Sequence, residues 1–277
     1  MTRSDFLKLA AGAVGAAASL GLPTACAQGT SSGVGGKTSE GQPGAGNGRV
    51  LSRPTPPPQH PKAPTGLRPL GLGSGRDGLL YVPPGYDGAS ETAPLALMLH
   101  GAGGDARSGI SHFLDLADAA GLVLLAPESR GRTWDVLAGG YGPDVAFIDR
   151  ALGQTFDRLA VDAGRLAVVG FSDGASYALS LGLTNGDLFT RVIAFSPGFA
   201  APAVRRGKPP VFVSHGTRDR VLPIDRCSRR IVPRLEGADY AVSYREFDGP
   251  HAVPRYVARE ALEWFIPNRE AKARSPK

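Results

Sequence analysis

The sequence predicts an α/β domain in which a mostly parallel sheet carries helices on both faces. Two observations predict it. Short apolar runs alternate along the chain with segments of helical spacing. Several of those runs are apolar at every position, as strands covered on both faces must be.

Taken in order, Leu79–Pro83 reads as a strand before a turn, and Leu95–His100 as a buried strand. Ser108–Ala120 has helical spacing, with Leu114, Leu116 and Ala117 on one side. Leu122–Ala126 is the next strand and Asp144–Leu159 the next helix. Strand Leu166–Phe171, helix Ala175–Leu183, strand Val192–Phe195 and strand Val211–His215 follow. Helix Asp225–Leu235, strand Tyr240–Phe247 and helix Val253–Phe265 complete the domain, and no internal repeat is visible.

Composition divides the 277 residues into four parts. Residues 1–27 read as an export signal. Arg3 and Lys8 give a positive start, and the small-residue stretch from Leu9 to Leu22 is too short for a comfortable membrane span. The start resembles a twin-arginine signal, with Ser4 in place of the second arginine. Ala25-Cys26-Ala27 fits cleavage after Ala27, whereas Leu22–Cys26 resembles a lipobox with Cys26 lipidated and Pro23 as a departure; both readings stay open. Residues 28–66 are rich in Gly, Ser, Pro and Thr and predict a disordered tether, because they hold too little apolar surface to offset their ordering entropy. Residues 67–270 form the predicted catalytic domain and 271–277 a flexible tail. Cys227 is then a lone thiol, read as a small apolar residue on a helix.

Charge excludes some classes of function. The net charge of +6 is spread out, with short basic pairs at Arg205–Arg206 and Arg229–Arg230 and no interleaved aromatic stripe, which argues against nucleic-acid binding. Neither cysteine has metal-ligand spacing, so no metal site is expected. Oligomeric state is not legible.

The chemistry begins at Gly170-Phe171-Ser172-Asp173-Gly174, a G-x-S-x-G match. Gly29-Thr30-Ser31-Ser32-Gly33 matches as well, but lies in the tether with no strand before it or helix after it. Ser172 follows an apolar strand and opens a helix. Such an elbow lifts the hydroxyl out of the sheet and sets it at a helix N-terminus, where backbone N–H groups favour negative charge. Ser172 is therefore the candidate nucleophile.

A base and an acid should come from loops at the carboxyl ends of later strands, where open parallel sheets bind ligands. His251, between the last strand and the last helix, is the candidate base. Asp219, just past strand 211–215, is the candidate acid; Asp225 reads as a helix cap, and Asp248 is too near His251 in sequence to face its ring. His100 and His215 each precede glycine and read as residues that hold turns. The loop His100-Gly101-Ala102-Gly103-Gly104 supplies small residues, and an oxyanion hole is assigned to the backbone N–H of Ala102 and Asp173. Its glycines lack the spacing of a phosphate or dinucleotide cradle. Trp134, after a strand, is a candidate substrate-binding residue.

The segments HGAGG (100–104), GFSDG (170–174), HGTRD (215–219) and DGPH (248–251), in this order, resemble the phospholipase/carboxylesterase-like group of α/β-hydrolases. They are also similar to exported polyhydroxybutyrate depolymerases and feruloyl-esterase-like proteins. The likeness runs from about Leu79 to Phe265 and includes Val161–Arg165. It implies the α/β-hydrolase fold, hydrolysis of a small-molecule ester through an acyl-enzyme, and no metal or organic cofactor. Ala102 stands where a larger apolar residue is common in that group. The short connections leave no room for a large lid domain. An acyltransferase on the same scaffold and a non-catalytic binding lipoprotein are the rival readings, with contact to a membrane only through the N-terminal lipid.

Overall fold

The computed structural model describes residues 45–54, 64–73, 75–89 and 91–267. The expected export signal, the lipidation of Cys26, the tail and most of the tether lie outside the described residues.

Eight strands form one sheet: β1 (Gly66–Pro69), β2 (Gly78–Val82), β3 (Ala93–Leu99), β4 (Val123–Pro127), β5 (Val161–Phe171), β6 (Arg191–Phe195), β7 (Val211–Gly216) and β8 (Val242–Phe247). Their order is β1-β2-β4-β3-β5-β6-β7-β8. β2 runs antiparallel to both β1 and β4, and every pairing from β4 to β8 is parallel. The helices are α1 (Ala106–Ile110), α2 (Ala117–Ala120), α3 (Asp135–Ala138), α4 (Pro143–Arg158), α5 (Asp173–Thr184), α6 (Ser228–Glu236) and α7 (Arg255–Phe265).

Alternation along the buried strands creates two cores. Leu95, Leu97 and Leu99 of β3 face one side with Val123, Val168 and Val213, under α4, α5 and α6. Ala96 and Met98 face the other with Leu124, Val169 and Phe212, under α1 and α7. Helices thus cover both faces, and every residue of β3 and β4 is buried. The connections are short, and among the described residues no lid domain covers the strand ends.

Several elements differ from the sequence-based expectations: β5 begins at Val161 rather than Leu166, and α3 was not expected. The helix expected over 108–120 begins earlier, at Ala106, where Asp105 and Ser108 form a reciprocal capping box. It breaks after Ile110, and a turn carries Phe113 into the core before α2. The helix expected from Asp225 starts at Ser228; Asp225 does not cap it but pairs with Arg229 at 2.8 Å. Edge strand β1 straddles the expected boundary between tether and domain at residue 67 and was not among the expected strands.

The tether expectation is corrected over residues 45–54, which dock on the domain. Val50 is fully buried in the core around α4 and α5. Its N–H donates to Asn185 Oδ1 at 3.0 Å, and the N–H groups of Leu51 and Ser52 both donate to Asp149 Oδ1. Arg49 and Arg53 each pair with Asp187 at 2.8 Å. One apolar residue and a set of partners far away in sequence anchor a segment whose composition alone reads as unstructured.

Candidate active site

Ser172 occupies the turn between β5 and α5 at φ 57°, ψ −119°. A side chain rarely adopts such a backbone, and the surroundings hold it there. Its N–H donates to Phe195 O, and its carbonyl accepts from Ala175 and Ser176. The flanking glycines are required by close approach. A Cβ on Gly170 would sit 2.1 Å from Gly174 O, and one on Gly174 would sit 2.2 Å from Leu99 O.

The loop after β8 brings His251 to this turn. His251 Nε2 lies 2.9 Å from Ser172 Oγ, and Nδ1 lies 2.5 Å from Asp219 Oδ2. The structure therefore brings the candidate nucleophile, base and acid into one hydrogen-bonded line. The Asp219 carboxylate, an acceptor only, places the imidazole proton on Nδ1 and leaves Nε2 to accept from the Ser172 hydroxyl.

Several bonds hold Asp219 in position. Oδ1 accepts from the N–H groups of Val221 and Leu222, and Oδ2 also lies 3.2 Å from His215 Nε2. Burial alone would raise the carboxyl pKa. The bonds from His215, His251 and Leu222 overcome that and hold it well below the usual carboxylate range. The β7 and β8 loops are stitched together as Thr217 N–H donates to Phe247 O and Arg218 N–H to Gly249 O. The other two aspartates point away: Asp225 to Arg229, and Asp248 to Arg218 at 2.9 Å.

Both supporting histidines hold loops. His215 is fully buried between Ser228 Oγ and Leu222 O. His100 accepts from Ser129 N–H at Nε2, so its Nδ1–H donates to Gly101 O. Burial lowers its pKa and keeps it neutral. The Gly103 N–H donates to Arg132 O and the Gly104 N–H to Gly101 O. Ala102 lies between, and among the described residues neither its N–H nor that of Asp173 has an internal acceptor. The two groups assigned to an oxyanion hole are thus unspent.

Trp134 is corrected. It lines no cleft: it is fully buried, its Nε1–H donates to His100 O at 2.9 Å, and its ring stacks on Tyr177. Its place is under the 100–104 loop, as a brace. What faces the site instead is Phe171, whose ring lies 4.7 Å from that of His251, and an open cleft of about 520 Å³ beside His251, walled by Arg218, Arg220, Val221 and Pro250. The sequence reading did not single out Phe171, although it stands directly before the nucleophile in Gly170-Phe171-Ser172-Asp173-Gly174. The cleft residues come from two loops whose meeting no local pattern announces. Cys227 is buried, and that burial pushes its thiol up to about 12, so it stays protonated.

The sheet order, with helices on both faces and a serine turn at the carboxyl end of a central strand, is that of the α/β-hydrolase fold. Residues 145–249 match the family described as phospholipase/carboxylesterase. That match contains Ser172 and Asp219. Among curated relatives, the chain is 29% identical over 172 residues to feruloyl esterase C of Emericella nidulans, covering 59% of this chain and 62% of that protein. It is 30% identical over 160 residues to the putative esterase NocK of Nocardia uniformis subsp. tsuyamanensis, covering 54% and 46%. The chain spans less than two thirds of the length of these relatives. Among solved structures, esterase PE8 superposes with a TM-score of 0.56 at 24% identity, over 68% of this chain and 96% of that one. A CE1 ferulic acid esterase from Anaeromyces mucronatus gives 0.52 at 19% identity, over 69% and 84%.

Proposed function

We propose that this protein hydrolyses carboxylic esters through an acyl-enzyme on Ser172. The hydrogen-bonded line Ser172–His251–Asp219 at the start of α5 carries the reading. Ser172 Oγ attacks the acyl carbon while His251 Nε2 takes its proton. The carbonyl oxygen becomes an oxyanion and is received by the N–H groups of Ala102 and Asp173. His251 returns the proton to the leaving alkoxy oxygen, the C–O bond breaks, and the alcohol departs. Water then repeats the sequence on the acyl-enzyme, releasing the acid and restoring Ser172. Asp219 holds the ring and stabilises the imidazolium in both halves.

The relatives named as feruloyl esterases favour an aromatic acyl group, and the Phe171 ring and the apolar edge of Val221 and Pro250 suit one. On the pattern of residues 1–27 the enzyme works outside the cytoplasm. A fluorophosphonate probe should label the wild type and leave Ser172→Ala unlabelled. On a panel of chromogenic esters, Ser172→Ala should lose on the order of 10³-fold or more in kcat. Equal labelling of the two proteins defeats the proposal.

A further inference from the structure

A second concave site lies on the α6 side of the molecule, lined by residues that the ester-hydrolysis reading does not use. Four arginines surround it: Arg205 from the loop after β6, and Arg226, Arg230 and Arg234 from α6 and the turn before it. Arg230 and Arg234 stand four residues apart on one face of α6, and Arg226 joins them from the 3-10 turn before the helix. Like charges at this spacing repel, so the arrangement is unfavourable unless something neutralises it.

Among the described residues none of the four lies within ion-pair distance of a carboxylate. Arg229, one position away on the same helix, is by contrast held by both Asp225 and Glu246. The carboxylates near α6, Asp225 from the turn before it and Glu246 from β8, go to Arg229. Arg230 is already oriented, because its Nε–H donates to the Asp225 carbonyl at 3.1 Å.

The floor between the arginines is apolar, made by Phe199, Ile231 and Leu235. The cavity, about 70 Å³ and partly open to solvent, admits a small oxyanion with its attachment on the apolar floor. Guanidinium forks match the two oxygens of a carboxylate or phosphate.

We infer that this pocket binds an organic anion, a phosphate or carboxylate joined to a small apolar group. The site is independent of the proposed ester hydrolysis.

The probes are phenyl phosphate and inorganic phosphate, titrated by calorimetry into the full chain. Phenyl phosphate should bind saturably and more tightly than inorganic phosphate, because only it uses the apolar floor. The double variant Arg230→Gln/Arg234→Gln should weaken it about tenfold or more, since bidentate contacts are lost. Both side chains are exposed, so the melting temperature should hardly move. Arg220→Gln, at the cleft beside His251, should leave phenyl phosphate binding unchanged. A third arm uses vesicles containing phosphatidylglycerol. No saturable binding by the wild type, unchanged binding by the double variant, or equal affinity for the two phosphates overturns the inference. Retention on anionic vesicles with no binding of phenyl phosphate also overturns it and makes the patch a membrane-facing surface.

Discussion

Asp219 is a buried carboxylate whose two oxygens have different duties. Oδ1 accepts two loop N–H groups, and Oδ2 faces His251 Nδ1. In Asp219→Asn the oxygen can keep the loop bonds, but the amide NH₂ then confronts Nδ1 and forces the opposite tautomer. Nε2 would carry the proton and could no longer accept from Ser172. We expect kcat to fall by about 10²–10⁴-fold with the fold intact. Asp225→Asn and Asp248→Asn touch only exposed arginines and should stay within about tenfold of wild type. Steady-state kinetics of the three variants, with melting temperatures, decide it; near-normal turnover by Asp219→Asn rules the assignment out. Ser172, Asp219 and His251 were legible in the sequence because each follows a strand, β5, β7 or β8, whose carboxyl end sends its loop to one rim. Trp134 follows a strand too, yet its ring turns inward to His100 O and Tyr177. Position after a strand gives no rotamer, and the rotamer decides between a cleft wall and a brace.

Among the elements, the segment from Ser129 to Asp144 does the most to shape the site, since Arg132 O fixes Gly103 and Trp134 fixes His100. A buried aspartate, Asp144, and a half-buried one, Asp135, hold it. Asp144 accepts from the N–H groups of Arg130 and Asp135, and Asp135 accepts from Gly142 N–H, Asp144 N–H and Tyr177 O–H. Burial, aided by the neighbouring Asp135 charge, pushes the Asp144 carboxyl up from 3.8 to about 6. Its folded pKa therefore lies above its unfolded one. The stability this group contributes is complete below pH 3.8 and is lost as pH rises through about 6. Asp144→Asn removes that dependence. The melting temperature of Asp144→Asn minus that of wild type should become more positive between pH 4 and pH 7, by on the order of 5 °C. A difference that stays flat with pH would show that Asp144 does not titrate in this way. The long strands, α4, α5 and α7 were legible as elements, because α4 and α7 bury a periodic apolar face while β3, β4 and α5 are buried throughout. Helix α3, four residues long, was not, for its shape comes from carboxylate–amide bonds that no periodicity encodes.

At the scale of the whole molecule, the open question is where the folded unit begins. Composition places the boundary at residue 67, and a passive tether would allow the chain to start there at no cost to stability. The docked segment argues otherwise. Val50 is fully buried against α4 and α5, and its removal exposes the apolar surface it covers. Asp149 would lose the N–H groups of Leu51 and Ser52, and Asn185 would lose its bonds to Val50 N–H and Gly48 O. Water can reach these groups once the segment is gone, and the Arg49 and Arg53 pairs with Asp187 are solvent-facing, so neither term is large. Burial of one valine and a few loop hydrogen bonds, less the entropy of ordering the segment, leaves about 2–3 kcal/mol. A chain starting at residue 67 should therefore melt roughly 5–10 °C below one starting at residue 45. Both should hydrolyse esters at similar rates below their melting points, because no residue of the segment touches Ser172, His251 or Asp219. Differential scanning calorimetry and an ester assay on the two truncated chains, beside the full chain, test this. Identical melting temperatures would return residues 45–54 to the tether, whereas a matching loss of kcat at low temperature would mean that the segment reaches the site through α5.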